Sequence, residues 1–126
     1  MTKVKATIQN QNYKTILQTE KHTFLADEPQ DLGGLDLGPT PEDYLAASLA
    51  ACTSITVKMY ANRKQWALDE VEVNVIIDTK SEPGITRFKK QIVFKGNLTD
   101  EQKQRLYVIA NKCPINKALQ QNIVVE

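Results

Sequence analysis

Two cysteines are the residues in this chain whose type and setting could do chemistry. Cys52 lies within Leu45-Ala46-Ala47-Ser48-Leu49-Ala50-Ala51-Cys52-Thr53, and Cys113 within Ile109-Ala110-Asn111-Lys112-Cys113-Pro114. A thiol attacks a peroxide O–O bond as the thiolate, and a second thiol can capture the resulting sulfenic acid as a disulfide. The two cysteines are far apart in sequence, so this chemistry requires a fold that joins them. The competing reading is ordinary core packing, since a buried cysteine commonly serves as a small hydrophobe.

The elements that must position them read as α+β. Val4, Ala6 and Ile8 alternate with polar residues, Gln9-Asn10-Gln11-Asn12 is a turn, and Tyr13 to Thr19 returns as a hairpin partner. A third strand carries His22, Phe24 and Ala26, and a glycine-containing loop from Gly33 to Pro39 follows. Thr40-Pro41-Glu42-Asp43 is a helix start, with Thr40 as cap, Pro41 at the first helical position and Asp43 closing the capping box. The helical pattern then runs to Lys64 or Trp66.

On that helix Leu45, Leu49, Cys52, Ile55 and Met59 share one face. Ala47, Ala50, Val57 and Ala61 form an opposite face, small enough for another backbone to approach. A helix apolar nearly all round is a buried one. One modest sheet from the same chain would not cover it, so a homodimer is expected. Val71, Val73, Val75 and Ile77 predict a half-buried strand, Ser81 to Gly84 a turn, and Arg87 to Lys95 the returning strand. A helix from Thr99-Asp100 buries Leu106, Ile109 and Ala110, and Cys113-Pro114 ends it and starts a short helix through Leu119. Ile123-Val124-Val125 is expected as a last edge strand. No repeat, low-complexity segment or linker interrupts this, so residues 1–126 read as a single domain.

The two thiols have unlike settings. Cys113 precedes a helix N-terminus and feels the positive end of its dipole. Cys52 lies mid-helix among apolar residues, which raise a thiol pKa unless a cation is near. If Cys52 is the nucleophile, the fold must supply that cation.

Gly38-Pro39-Thr40-Pro41-Glu42, followed by Leu45-Ala46-Ala47 and Ala51-Cys52-Thr53, resembles the OsmC/Ohr family of thiol-dependent hydroperoxide reductases. Cys113-Pro114-Ile115-Asn116-Lys117-Ala118-Leu119 is similar to that family's second cysteine motif. The resemblance implies an OsmC-like fold, an intertwined homodimer with antiparallel sheets around a long buried central helix. It implies Cys52 as peroxidatic cysteine, Cys113 as resolving cysteine, and Glu42 as the carboxylate that orients a catalytic arginine. Ten residues of continuous helix put Glu42 ~15 Å from Cys52, so Glu42 is expected to act across a dimer interface. As a plain alternative, Glu42 is an acid stabilising a helix N-terminus.

One departure matters. The family's arginine comes from the region before the helix, and this chain has no arginine before Arg63. Lys14, Lys21, His22 and Arg87 are the candidate replacements. A lysine cannot reproduce the bidentate hold of a guanidinium on a carboxylate.

Other signals fail. His22 is the single histidine and no Cys-x-x-Cys pair exists, so no metal site and no cofactor is expected. The Gly33-Gly34 loop lacks the Gly-Lys-Ser/Thr ending of a phosphate loop, and Glu42 and Asp43 would repel an anion there. Trp66 reads as a packing residue. Sixteen basic against fifteen acidic side chains leave a net charge of +1, no footprint for nucleic acid.

No signal-peptide pattern follows Met1-Thr2-Lys3-Val4-Lys5, and the apolar run from Leu45 to Cys52 is too short to span a bilayer. A cytoplasmic protein is expected, where thiols stay reduced and a paired thiol is redox-active rather than structural. Two functional readings follow. The first is reduction of organic hydroperoxides by Cys52 and Cys113, with an external dithiol as reductant. The second is a non-catalytic protein of the same fold that holds an apolar small molecule at the dimer interface.

Overall fold

The computed structural model describes all 126 residues. The chain forms two compact units, Met1–Leu45 and Ala46–Glu126, whose boundary falls in the second turn of the long helix.

In the first unit, β1 (Lys5–Ile8), β2 (Thr15–Gln18) and β3 (Thr23–Ala26) make an antiparallel meander in the order β1-β2-β3. Ala6 faces Leu17, and Leu17 faces Phe24. The loop after β3 is organised by a buried carboxylate. Asp27 Oδ1 accepts from the N–H groups of Tyr13 (3.1 Å) and Glu28 (2.7 Å), and Oδ2 from those of Leu35 (3.4 Å) and Leu37 (3.2 Å). Burial pushes the Asp27 pKa up, but the four backbone donors outweigh it and leave it lowered. The loop that could have cradled a phosphate thus cradles a carboxylate of its own. Gly34 is required by this packing, because a Cβ there would lie 2.0 Å from Glu28 O. Thr40 and Asp43 cap the long helix reciprocally, Asp43 N–H to Thr40 Oγ1 at 3.1 Å and Thr40 N–H to Asp43 Oδ2 at 2.9 Å. The helix start therefore has the predicted chemistry.

Helix α1 runs from Pro41 to Lys64. In the second unit it is followed by the hairpin β4 (Glu70–Asp78) and β5 (Arg87–Lys95), then α2 (Asp100–Ala110) and α3 (Pro114–Leu119). The hairpin register pairs Val71 with Phe94, Val73 with Ile92, Val75 with Lys90 and Ile77 with Phe88. All eight belong to the inward phase of their strands. Thr99 and Gln102 form a capping box at the start of α2. The core joins Val57 and Ala61 of α1 to Leu68, Phe94, Leu106 and Ala110, with Tyr60, Trp66 and Val71 around it. Trp66 meets the Tyr60 ring edge-on at 5.6 Å, the packing role expected for it.

Two expectations change. The stripe that α1 buries is Leu49, Thr53, Val57 and Ala61, which takes Leu49 from one expected face and Val57 and Ala61 from the other, while Ala47 is exposed. Leu45, Ile55 and Met59, expected on the buried face, stay 44%, 54% and 64% exposed. Ile123-Val124-Val125 is not a strand: the three residues are exposed and belong to neither sheet. β-branched residues alone do not make a strand, since a ladder needs a partner edge.

Candidate functional site: a paired thiol

Cys52 is carried on the half-buried side of α1, next to the buried Thr53. Cys113 sits at the turn between α2 and α3, fully buried, as the N-cap residue of α3. Proline at the following position ends one helix and starts the next, and that change of direction turns the Cys113 side chain toward α1.

The fold brings the two cysteines together. Both are free thiols, and Cys52 is near enough to the Cys113 sulfur to influence its proton. Two further groups converge on that sulfur. The Asn116 N–H lies 3.3 Å from Cys113 Sγ, and the Thr53 hydroxyl lies 3.6 Å from it. Burial alone would raise the Cys113 pKa. The bonds from Thr53, the Asn116 N–H and Cys52, together with the charge of Lys90, outweigh burial and leave the thiol lowered.

Lys90 is the cation of the site. Its Nζ donates to Asn116 Oδ1 at 2.9 Å, to Ala110 O at 3.2 Å and to Thr53 Oγ1 at 3.4 Å. A threonine hydroxyl has one proton. With its oxygen accepting from Lys90, Thr53 keeps that proton available to a Cys113 thiolate. Asn116 completes the frame, its Nδ2 donating to Asn111 O at 3.2 Å and Gln120 Oε1 at 3.0 Å. No buried side-chain nitrogen or oxygen in the chain lacks a partner. The network is therefore held in one arrangement before any substrate arrives.

Arg87 is not that cation: it pairs with Glu82 across the hairpin turn and is half exposed. Lys21 and His22 are exposed at the β2–β3 turn, and Lys14 precedes β2, all in the first unit. Glu42 is exposed in the first turn of α1, a helix without a break between it and Cys52.

Lys90 was not among the residues the sequence pointed to. A signal for it existed: Phe88, Lys90, Ile92 and Phe94 occupy alternate positions of one strand, so a lysine stands in the apolar row. No group of three or more histidine, cysteine or acidic side chains is placed to hold a metal ion.

An α+β chain that buries one cysteine at a helix cap, against a second on a long helix, belongs to the class of dithiol proteins. More particularly, the chain belongs to the family of OsmC-like proteins, whose pattern it matches over residues 33–126. It is similar in structure to an organic hydroperoxide resistance protein, OsmC, of Legionella pneumophila, at 25% identity. That match covers 100% of this chain and 93% of the other, with a TM-score of 0.65. An OsmC-like protein of Mycoplasma pneumoniae shares the fold at 18% identity, 95% and 87% coverage and a TM-score of 0.78. An organic hydroperoxide resistance protein of Elizabethkingia anophelis does so at 23% identity, 98% and 90% coverage and a TM-score of 0.70. No protein of curated function matches the chain.

Proposed function

We propose that this protein reduces organic hydroperoxides with Cys52 and Cys113. The observation that carries the reading is the convergence of the two thiols on one site, where the Asn116 N–H and the Thr53 hydroxyl reach the Cys113 sulfur and Lys90 faces both. Cys52 is the more exposed of the two, so it is the one a peroxide can meet. Family membership and the hydroperoxide resistance protein among its structural relatives support the same chemistry.

In the first step the Cys52 thiolate attacks the outer oxygen of ROOH. The O–O bond breaks, Cys52 becomes the sulfenic acid, and RO⁻ takes a proton to leave as ROH. In the second, the Cys113 thiolate attacks the Cys52 sulfur, an S–S bond forms and hydroxide leaves as water. An external dithiol then supplies two electrons and two protons, which restores both thiols.

The working form in this proposal is a homodimer. The exposed Leu45, Ile55 and Met59 supply the apolar face for a second copy and for a hydrophobic R group. Glu42 of that second copy is the carboxylate proposed to approach Cys52.

Titration of the purified, reduced protein with cumene hydroperoxide, following free thiols, tests the reading. Stoichiometric loss of both thiols, absent in Cys52→Ser, is the expected result. Thiols that survive excess peroxide overturn it.

A further inference from the structure

We propose that Lys90 is the activating cation of the Cys52–Cys113 pair, delivered from strand β5 in place of an arginine, and that this charge is complete within residues 46–126. The inference rests on the thiol pair being the reactive centre, and it deepens that reading by naming the charge that faces the two sulfurs.

Three observations carry it. Lys90 lies opposite Val75 in the inward row of the hairpin, where a lysine is costly unless it has a task. Its three ammonium protons are all used, on Asn116 Oδ1, Ala110 O and Thr53 Oγ1. Each of those acceptors is neutral. No carboxylate pairs with Lys90, although Lys89 and Lys95 of the same strand both have one.

The titratable groups that face the ammonium are Cys52, from α1, and Cys113, from the α2–α3 turn. Its charge is therefore directed to sulfur. The interaction is mutual: burial lowers the Lys90 pKa, and the charges of Cys113 and Cys52 offset only part of that.

This arrangement differs in kind from a guanidinium held by a carboxylate. An ammonium offers three radial donors and no planar fork. A cage of one hydroxyl, one amide oxygen and one carbonyl suits it, and those are the acceptors present. Lys90 acts through the sulfurs and not on the peroxide, as a positioning and charge-supplying residue. The absence of an arginine before α1 then costs the site nothing, which removes the ground for reading the chain as a non-catalytic binder.

The test is the pH profile of iodoacetamide alkylation of the reduced, full-length protein. It needs no peroxide. Lys90→Met is expected to move the thiol profile about one pH unit to the alkaline side, about a ten-fold loss of rate at neutral pH. Lys90→Arg is expected to restore most of the loss. A Lys90→Met profile that superimposes on the wild type overturns the proposal.

Should Lys90→Met fail to fold by circular dichroism, the Lys90 side-chain NMR titration replaces it. The Lys90 pKa is expected to fall in the Cys52→Ser, Cys113→Ser double variant, and an unchanged value overturns the proposal. Thiols inert to peroxide that keep the Lys90-dependent profile would support this inference and overturn the hydroperoxide reading.

Discussion

The Thr53 hydroxyl lies 3.6 Å from the Cys113 sulfur and 3.4 Å from the Lys90 ammonium, which makes a single oxygen the bridge between the charge and the thiol. Neither neighbour is near Thr53 in sequence. The contact exists because Thr53 belongs to the stripe that α1 buries. A fully buried threonine there is a polar link set into an otherwise apolar row.

Thr53→Val removes the bridge at nearly constant shape. The Cys113 thiolate loses one of its donors, so the thiols are expected to alkylate several-fold to about ten-fold more slowly at neutral pH. Thr53→Ser retains the hydroxyl and is expected to stay close to the wild type. Equal alkylation rates for the valine and serine variants would show that the hydroxyl plays no part.

Asp27 provides a pH-dependent share of stability in the first unit. Its pKa is lowered on folding from an ordinary 3.8, so the contribution is fully present above that value. It is lost as the pH falls through the folded value. Asp27→Asn is expected to lower the melting temperature at neutral pH, because an amide cannot accept from all four N–H groups. The gap to the wild type should narrow in melts run from about pH 4 downward. A gap of constant size over that range would contradict the assignment.

Leu106 is completely buried in the core between α1, the hairpin and α2. Leu106→Ala leaves a cavity and is expected to cost about 2–5 kcal/mol in urea unfolding. Gly96 sits nearby at φ +143°, where an added Cβ would lie 2.0 Å from Ala67 O. Gly96→Ala is therefore expected to destabilise as well, through backbone displacement and without a cavity. Unfolding midpoints at the wild-type value for either variant would refute these packing arguments.

The proposed dimer predicts a response at Met59, which is 64% exposed beside Ile55 and a shallow groove lined by Val71 and Asn62. Sedimentation equilibrium is expected to show a dimer for the wild type. Met59→Lys places a charge on that face and should weaken association about ten-fold to a hundred-fold, from an unpaired-group penalty of about 1–3 kcal/mol. A monomeric wild type, or a variant that associates equally well, would refute the interface.

Most elements were legible because their signals are local. The Thr40–Asp43 box, proline at the first helical position and the Cys113-Pro114 junction each act within one turn of chain. The two long strands were legible from alternation. What escaped was non-local. Lys90 looked like one more strand cation because sequence alone does not tell which phase of a strand faces a thiol far along the chain. The burial of Thr53 over Ile55 follows from where the hairpin and α2 pack, not from residue type. The C-terminal Ile123-Val124-Val125 has strand-forming residues but pairs with neither sheet.

The cage around Lys90 also sets an electrical asymmetry between the two redox states of the proposed cycle. In the reduced form a half-buried ammonium faces a pair of sulfurs that can carry a negative charge. When those sulfurs join, the negative charge is gone and the cation stays, held by neutral acceptors alone. The oxidised state therefore bears an uncompensated positive charge that the reduced state does not. Favouring the reduced state in this way raises the reduction potential of the disulfide. The same lysine that primes the thiols for attack makes the bond between them easier for a dithiol to open.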